Sequence, residues 1–310
     1  MGNLKLGTRG SALALWQANW TKTELEKRQP GLTVELIPIK TTGDKILDVP
    51  LAKIGGKGLF TKELDEALLD GRIDFAVHSL KDVPFQLPDG IDFAAIPERE
   101  DPRDAFISNG PKLHELPRNS RIGTSSLRRQ VQLRHRYPDL DLVTLRGNVD
   151  TRLRKLAAGE FEGIVLAVAG LKRLGHAQRV TQILDDDIMV SAVGQGALGI
   201  VCRSADTATR ATLQLLDHSE TRLAVTAERG LLRALGGSCQ VPVAGRARLE
   251  GEQLTIKGLI ASLDGRRVIA DELSGSVRKP AELGIELGNR LLSMGAGEIL
   301  AEIAQYGADR

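Results

Sequence analysis

Short apolar runs alternating with amphipathic segments, twice over, constrain this chain more than any other feature. Leu4-Lys5-Leu6 reads as a strand, Ser11 to Lys27 as a helix, Thr33 to Ile39 as a strand, Thr61 to Leu69 as a helix and Ile73 to Val77 as a buried strand. A comparable series starts at Arg121: strand Arg121 to Gly123, helix Ser126 to Arg136, strand Asp141 to Leu145, helix Asp150 to Ala158 and strand Gly163 to Val168. This order favours mostly parallel sheets covered by helices, that is, two doubly wound α/β units. Ligands of such sheets sit at strand carboxyl ends, so two crevices are expected there, facing one another. The series also echo each other in residues. Leu6-Gly7-Thr8 with Ser11 parallels Ile122-Gly123-Thr124 with Ser126, and Ala76 to Lys81 parallels Ala167 to Lys172. Internal duplication and convergence on similar turns both produce such matches.

The last third changes character. Glu220 to Leu235 reads as a helix, followed by three alternating segments, Val243 to Leu249, Leu254 to Ser262 and Arg267 to Leu273. Turn signals at Glu250-Gly251 and Asp264-Gly265 join them into an antiparallel meander. Pro280 to Tyr306 reads as helix, interrupted near Gly295 and Gly297. A small α+β domain with an antiparallel sheet is therefore expected at the C-terminal end.

Composition excludes several functions. Among 310 residues, 42 Lys and Arg against 40 Asp and Glu leave a net charge of +2, which favours neither nucleic acid nor an anionic membrane. Aromatic residues make up 3%, too few for a base-stacking platform. The basic stretch Arg128 to Arg136 carries Leu127, Val131 and Leu133 at positions that suit a sheet-covering helix rather than a DNA-reading one. No apolar run reaches about 18 residues, and the N-terminus lacks an export-signal pattern, so a cytoplasmic protein is expected. Two cysteines make no disulfide framework, and the five histidines show no metal-ligand spacing, so no metal is expected.

Cations gather where the predicted strands end. Arg9 and Ser11 lie between a strand and a helix, as do Ser125, Ser126, Arg128 and Arg129. Hydroxyls and free N–H groups at helix starts bind anions, and guanidinium groups reinforce them. Lys81, Arg146 and Arg173 follow other strands. Singly, each is a solvated loop residue; together they point to a ligand with several carboxylates or phosphates. Asp82 stands among these cations. An aspartate weakens an anion site, so its presence there argues for acid–base work or for holding a developing cation. Cys239 lies between Gly236-Gly237 and Pro242, on backbone suited to neither helix nor strand, where a thiol is open to covalent attachment or attack. Lys53-Ile54-Gly55-Gly56-Lys57-Gly58 lacks the Walker spacing and reads as a mobile flap bearing two lysines. Val193 to Gly199 lacks the dinucleotide-binding spacing and reads as a tightly packed segment.

These residues together resemble the hydroxymethylbilane synthase (porphobilinogen deaminase) family along essentially the whole chain. The resemblance is carried by Gly7-Thr8-Arg9 with Ser11, Lys53 to Phe60, His78 to Pro84, Gly123 to Gln130, Leu145 to Asn148, Ala167 to Leu174, Val193 to Gly199 and Glu228 to Pro242. Ser238 departs from the family, where a glycine is common. The resemblance implies two lobes like those of periplasmic binding proteins, 1–99 with 194–217 and 100–193, and a cofactor-anchoring domain over 218–310. It implies a dipyrromethane cofactor joined by a thioether to Cys239. Four porphobilinogen molecules are then condensed head to tail onto it with loss of ammonia, and hydrolysis releases 1-hydroxymethylbilane for porphyrin synthesis. It places Lys81, Asp82, Ser125, Arg128, Arg129 and Arg146 at the cofactor, and Arg9, Ser11, Arg146, Arg152 and Arg173 at the substrate. Lys53 and Lys57 fall on the flap, Asp82 is the catalytic residue, and a monomer is expected. Arg154 and Lys155 are close alternatives to Arg152. The rival readings are a non-catalytic two-lobed binding protein for a polycarboxylate and a transferase acting on a phosphate substrate. The first needs neither Asp82 nor a reactive Cys239, and the second is disfavoured by the missing Walker spacing.

Overall fold

The structure, a computed structural model, describes residues 2–45, 58–236 and 241–308. Its elements begin with β1 (Asn3–Thr8), α1 (Ala12–Arg28), β2 (Thr33–Pro38), α2 (Thr42–Lys45), α3 (Lys62–Leu69), β3 (Phe75–Ser79) and β4 (Ile91–Ala95). There follow β5 (Asp104–Ser108), β6 (Arg121–Gly123), α4 (Leu127–Arg136), β7 (Asp141–Val143), α5 (Val149–Ala157), β8 (Gly163–Ala167), α6 (Val168–Arg173) and β9 (Gln182–Leu184). Next come β10 (Leu198–Arg203), α7 (Thr207–Leu213) and α8 (Ser219–Ala234). The chain finishes with β11 (Val243–Glu250), β12 (Gln253–Ala261), β13 (Val268–Ser276), α9 (Pro280–Leu291) and α10 (Gly297–Ala308).

Two compact units emerge. The first takes the described residues of 1–48, 56–100 and 197–222; the second takes those of 101–196 and 223–310. In the first unit a five-stranded sheet runs β2-β1-β3-β10-β4. Alternation along β3 sends Phe75 and Val77 to the face covered by Ala18 and Leu25 of α1, and Ala76 to the face covered by Leu64, Ala67 and Leu68 of α3. Gly7 lets α3 approach: a Cβ there would lie 2.3 Å from Ile73 Cδ1 and 2.9 Å from Leu64 Cδ2.

The second unit holds a sheet of order β7-β6-β8-β5-β9 and the antiparallel sheet β11-β12-β13. Leu133 of α4 packs with Phe106, Ile122 and Val165 on one face of the five-stranded sheet, while Leu153 and Leu156 of α5 pack with Ile107, Ile164 and Leu166 on the other. Gly123 matches Gly7 in position, and a Cβ there would be crowded by the connecting segments, meeting Leu145 Cδ2 at 2.8 Å and Phe161 Cδ1 at 3.0 Å. On the three-stranded sheet, Leu254, Ile256 and Ile260 bury against α8, α9 and α10. Its opposite face offers Ala244, Leu259 and Ala261 to Val131 and Val190.

The two five-stranded sheets therefore share one strand order, and both are mixed where the alternation predicts mostly parallel strands. In each, one strand is antiparallel to its neighbours: β10 in the first, with Leu198 opposite Ser79, and β5 in the second, with Asp104 opposite Ala167. Each enters just after the chain passes from one unit to the other, at the edge where the parallel strands end, and must run back along the sheet. Sequence alternation misses β4, β5, β9 and β10: the chain passes from β4 to β5, and from β9 to β10, with no helix between to mark a change of period. The interrupted last helix is as expected: Gly295 sits at φ 102° between α9 and α10.

Candidate functional site

In the first unit β1 and β3 lie side by side and parallel, so their carboxyl ends share one edge. Arg9 leaves the end of β1 and places its guanidinium 4.2 Å from the centre of the Phe60 ring. Ser11 caps α1, its Oγ accepting from the Ala14 N–H at 3.3 Å. Lys81 and Asp82 occupy a tight turn, Leu80–Asp82, directly after β3. The Leu80 N–H donates to the Ala197 carbonyl at 3.0 Å, and the Val83 N–H closes the turn onto Leu80 at 3.1 Å. Both side chains are half-buried, and the Asp82 carboxylate accepts no hydrogen bond from the described residues. Gln17 Nε2 donates to Ser79 Oγ at 2.7 Å beneath this turn.

His78, next to Ser79, is a buried residue that sequence reasoning passes over. Its Nε2 has no hydrogen-bond partner among the described residues. Burial, reinforced by the Arg9 charge, pushes its pKa down to about 4, so the ring is neutral near pH 7. On α3, burial raises Asp65 to about 6 against the opposing effect of a hydrogen bond with Thr61.

In the second unit β6, β7 and β8 are parallel, and their carboxyl ends again share one edge. Ser125 lies half-buried in the turn from β6 to α4. Arg128 and Arg129 are buried, and both converge on Asp104, the first residue of β5. Arg129 donates Nε and Nη2 to Asp104 Oδ1 at 3.0 and 2.7 Å, and Nη1 to the Val165 carbonyl at 2.9 Å. Arg128 Nη1 lies 2.8 Å from Asp104 Oδ2 and donates to the Val190 carbonyl at 2.7 Å. Gln195 Nε2 adds a bond to Asp104 Oδ1 at 3.0 Å. Burial opposes ionisation of Asp104, but the two guanidinium groups overcome it and hold the carboxyl far below the usual range. Asp104 is the site residue that the sequence hides. No motif marks it, and it reaches the carboxyl edge only because β5 runs antiparallel.

Arg146 follows β7 and is half-buried. Arg152 on α5 donates Nε to the Gly147 carbonyl at 2.8 Å. Burial, together with the charges of Arg129 and Arg146, lowers its pKa to about 10. These interactions group Arg152 with Arg129 and Arg146, whereas Arg154 is exposed and bonds Thr151. Arg173 ends α6, a helix where a short turn is expected, and its Nη2 donates to the Gly196 carbonyl at 2.7 Å. Val193 to Gly199 is indeed tightly held: besides Arg173 on Gly196, the Gly194 N–H donates to Glu228 at 2.7 Å and Gln195 is buried. Cys239, Lys53 and Lys57 lie outside the described residues.

The donor set suits a dipyrromethane carrying acetate and propionate groups. Arg128 and Arg129 share one buried carboxylate, and Arg152 lies within the influence of Arg129 and Arg146, so positive charge is in excess here. The Nε and Nη2 groups of Arg128 and the whole Arg146 guanidinium have no protein partner among the described residues. Among the described residues no group of His, Cys, Asp and Glu could hold a metal, and no helix is long and apolar enough to cross a membrane.

Sheet and site together define an α/β protein with arginines clustered at its strand ends and, in its first unit, an aspartate that accepts no hydrogen bond among the described residues. The family described as porphobilinogen deaminase, dipyromethane cofactor binding domain, matches residues 4–211, and that described as porphobilinogen deaminase, C-terminal domain, matches 222–293. The porphobilinogen deaminase of Geobacter sulfurreducens is 54% identical over 310 residues, covering 100% of this chain and 98% of its own. That of Trichlorobacter lovleyi is 54% identical over 302 residues, covering 97% of each. The chain belongs to the porphobilinogen deaminase family, and its function is porphobilinogen deaminase activity in tetrapyrrole biosynthesis with a dipyrromethane cofactor. Solved structures align loosely. The methionine binding protein MetQ covers 69% of this chain and 89% of its own at 16% identity and a TM-score of 0.43.

Proposed function

We propose that Asp82 is the catalytic residue of this deaminase and that the arginine clusters hold the carboxylates of substrate and cofactor. The observation that carries this reading is the Asp82 carboxylate itself: half-buried, with no hydrogen bond from the described residues, at the sheet edge that also bears Arg9 and Lys81. Porphobilinogen has a pyrrole N–H, an aminomethyl group, an acetate and a propionate. Arg9 and Ser11, with Arg146, Arg152 and Arg173, suit its two carboxylates by charge-assisted hydrogen bonds. Asp82 accepts the pyrrole N–H and stabilises the positive charge that accumulates on the ring as ammonia leaves. It then takes the C–H proton that must be lost after the new carbon–carbon bond forms.

Ser125, Arg128, Arg129, Arg146 and Lys81 would hold the dipyrromethane, with Cys239 as its thioether anchor. When bound, that group supplies the tether and the nucleophilic pyrrole carbon. Cys239 thus reacts once, whereas Asp82 acts in every cycle. The family resemblance supports a division into 1–99 with 194–217, 100–193 and 218–310, the lysines Lys53 and Lys57 on a flap, and a monomer working in the cytoplasm.

The test is an intact-mass measurement on denatured protein combined with turnover. Wild type is expected to carry the mass excess of a dipyrromethane, and Cys239→Ser to lose it. Asp82→Asn is expected to keep the excess with turnover reduced at least a hundredfold. Near-normal turnover in that variant removes Asp82 from the mechanism, and an unmodified mass in active wild type removes the anchor.

A further inference from the structure

Arg128 and Arg129 are neighbours on one helix, so their side chains leave it about 100° apart. Yet both guanidinium groups meet at a single carboxylate, which the antiparallel strand β5 delivers to the carboxyl edge. Asp104 is fully buried, and its Oδ1 accepts from Arg129 Nε, Arg129 Nη2 and Gln195 Nε2. Its Oδ2 has no bond of good hydrogen-bond geometry and is satisfied through the ion pair with Arg128 at 2.8 Å. Two positive charges and one negative charge leave the trio with a single positive charge. The Val165 carbonyl holds Arg129 through Nη1, away from Asp104, while Arg128 Nη1 is shared between Asp104 and the Val190 carbonyl, which leaves its Nε and Nη2 unused by the described residues.

We infer that Asp104 is a positioning residue for cofactor capture: it draws Arg128 and Arg129 together and cancels one of their charges, so that the pair offers one charge and the remaining N–H groups to a ligand carboxylate. This rests on the reading of Arg128 and Arg129 as ligands of the dipyrromethane carboxylates. Two effects of losing the carboxylate oppose each other. Removing a negative charge strengthens attraction for an anionic ligand, while releasing two like-charged guanidinium groups lets them repel and leave the shared geometry. Bidentate recognition depends on orientation, so the second effect wins.

The experiment compares wild type, Asp104→Asn and Asp104→Glu, each purified as folded protein and analysed by intact mass for the ratio of loaded to unloaded chains. Thermal unfolding is recorded alongside. A merely structural role lowers the melting temperature and leaves that ratio unchanged in the folded fraction. Positioning lowers the ratio at least tenfold in Asp104→Asn. The glutamate keeps the charge but carries the carboxylate on a longer arm, and is expected to lower the ratio at least threefold while unfolding cooperatively. It decides the matter if the asparagine variant does not fold. A folded variant of either kind that loads like wild type overturns the inference. Wild type without the mass excess would instead remove the covalent cofactor on which the reading of these arginines as its ligands depends.

Discussion

At the scale of single residues, two buried titratable groups of the first unit oppose each other. His78 has a folded pKa of about 4 against an ordinary 6.5, so between these values the unfolded chain binds more protons and stability climbs as pH rises. Asp65 has a folded pKa of about 6 against 3.8, so between those values the folded chain binds more protons and stability falls as pH rises. The two slopes, each at most about 1.4 kcal/mol per pH unit, nearly cancel between pH 4 and 6. Urea unfolding of His78→Gln is expected to show stability falling from pH 4 to 6, and Asp65→Asn to show it rising; unchanged slopes in both would exclude this account. These residues also mark what the sequence makes legible at the site. Arg128 and Arg129 stand out because they open a helix after a strand, and Asp82 because it sits among cations. Asp104, His78 and Asp65 are visible only once strand direction and burial are known: Asp104 and His78 respond to arginines distant in the chain, and Asp65 to the burial of its position on α3.

Helices α8 and α9 meet through small residues. A Cβ on Gly284 would lie 1.9 Å from the Ala227 carbonyl oxygen, one on Gly230 2.4 Å from that of Ala281, and one on Gly288 2.5 Å from Ala234 Cβ. The near neighbours of Gly284 and Gly230 are backbone and cannot rotate away, so Gly284→Ala must push the helices apart. Expected is a loss of about 2–3 kcal/mol in chemical denaturation, with Gly251→Ala, at an open turn with φ 62°, costing about 1 kcal/mol. A Gly284→Ala loss below that of Gly251→Ala would mean that α8 and α9 are not held this closely. The spacing of Leu283, Leu287 and Leu291 marks α9 as amphipathic, but nothing local distinguishes a glycine that permits contact from one that merely interrupts. Most elements are legible for the same reason that some are not. Strands bounded by amphipathic helices carry a change of period, whereas β4, β5 and β10 are short buried runs whose partners are set by topology.

At the scale of the molecule, Glu228 ties segments distant in sequence: it accepts from the Gly194 N–H at 2.7 Å and the Ala247 N–H at 2.8 Å, joining the turn before β10 to the three-stranded sheet. The second five-stranded sheet draws all its strands from residues 104–184, but the first must wait for β10, which sits between β3 and β4. Pulse-labelled hydrogen exchange during refolding is expected to show β4 amides gaining protection together with those of β10; earlier protection of β4 would disprove this order. On the ribosome the consequence is an inversion. The amino-terminal sheet, although made first, closes only after residue 203 has emerged, so its edge at β3 stays unsatisfied while the later sheet is already complete. A nascent chain of this kind depends on shelter for its oldest strands, not its newest.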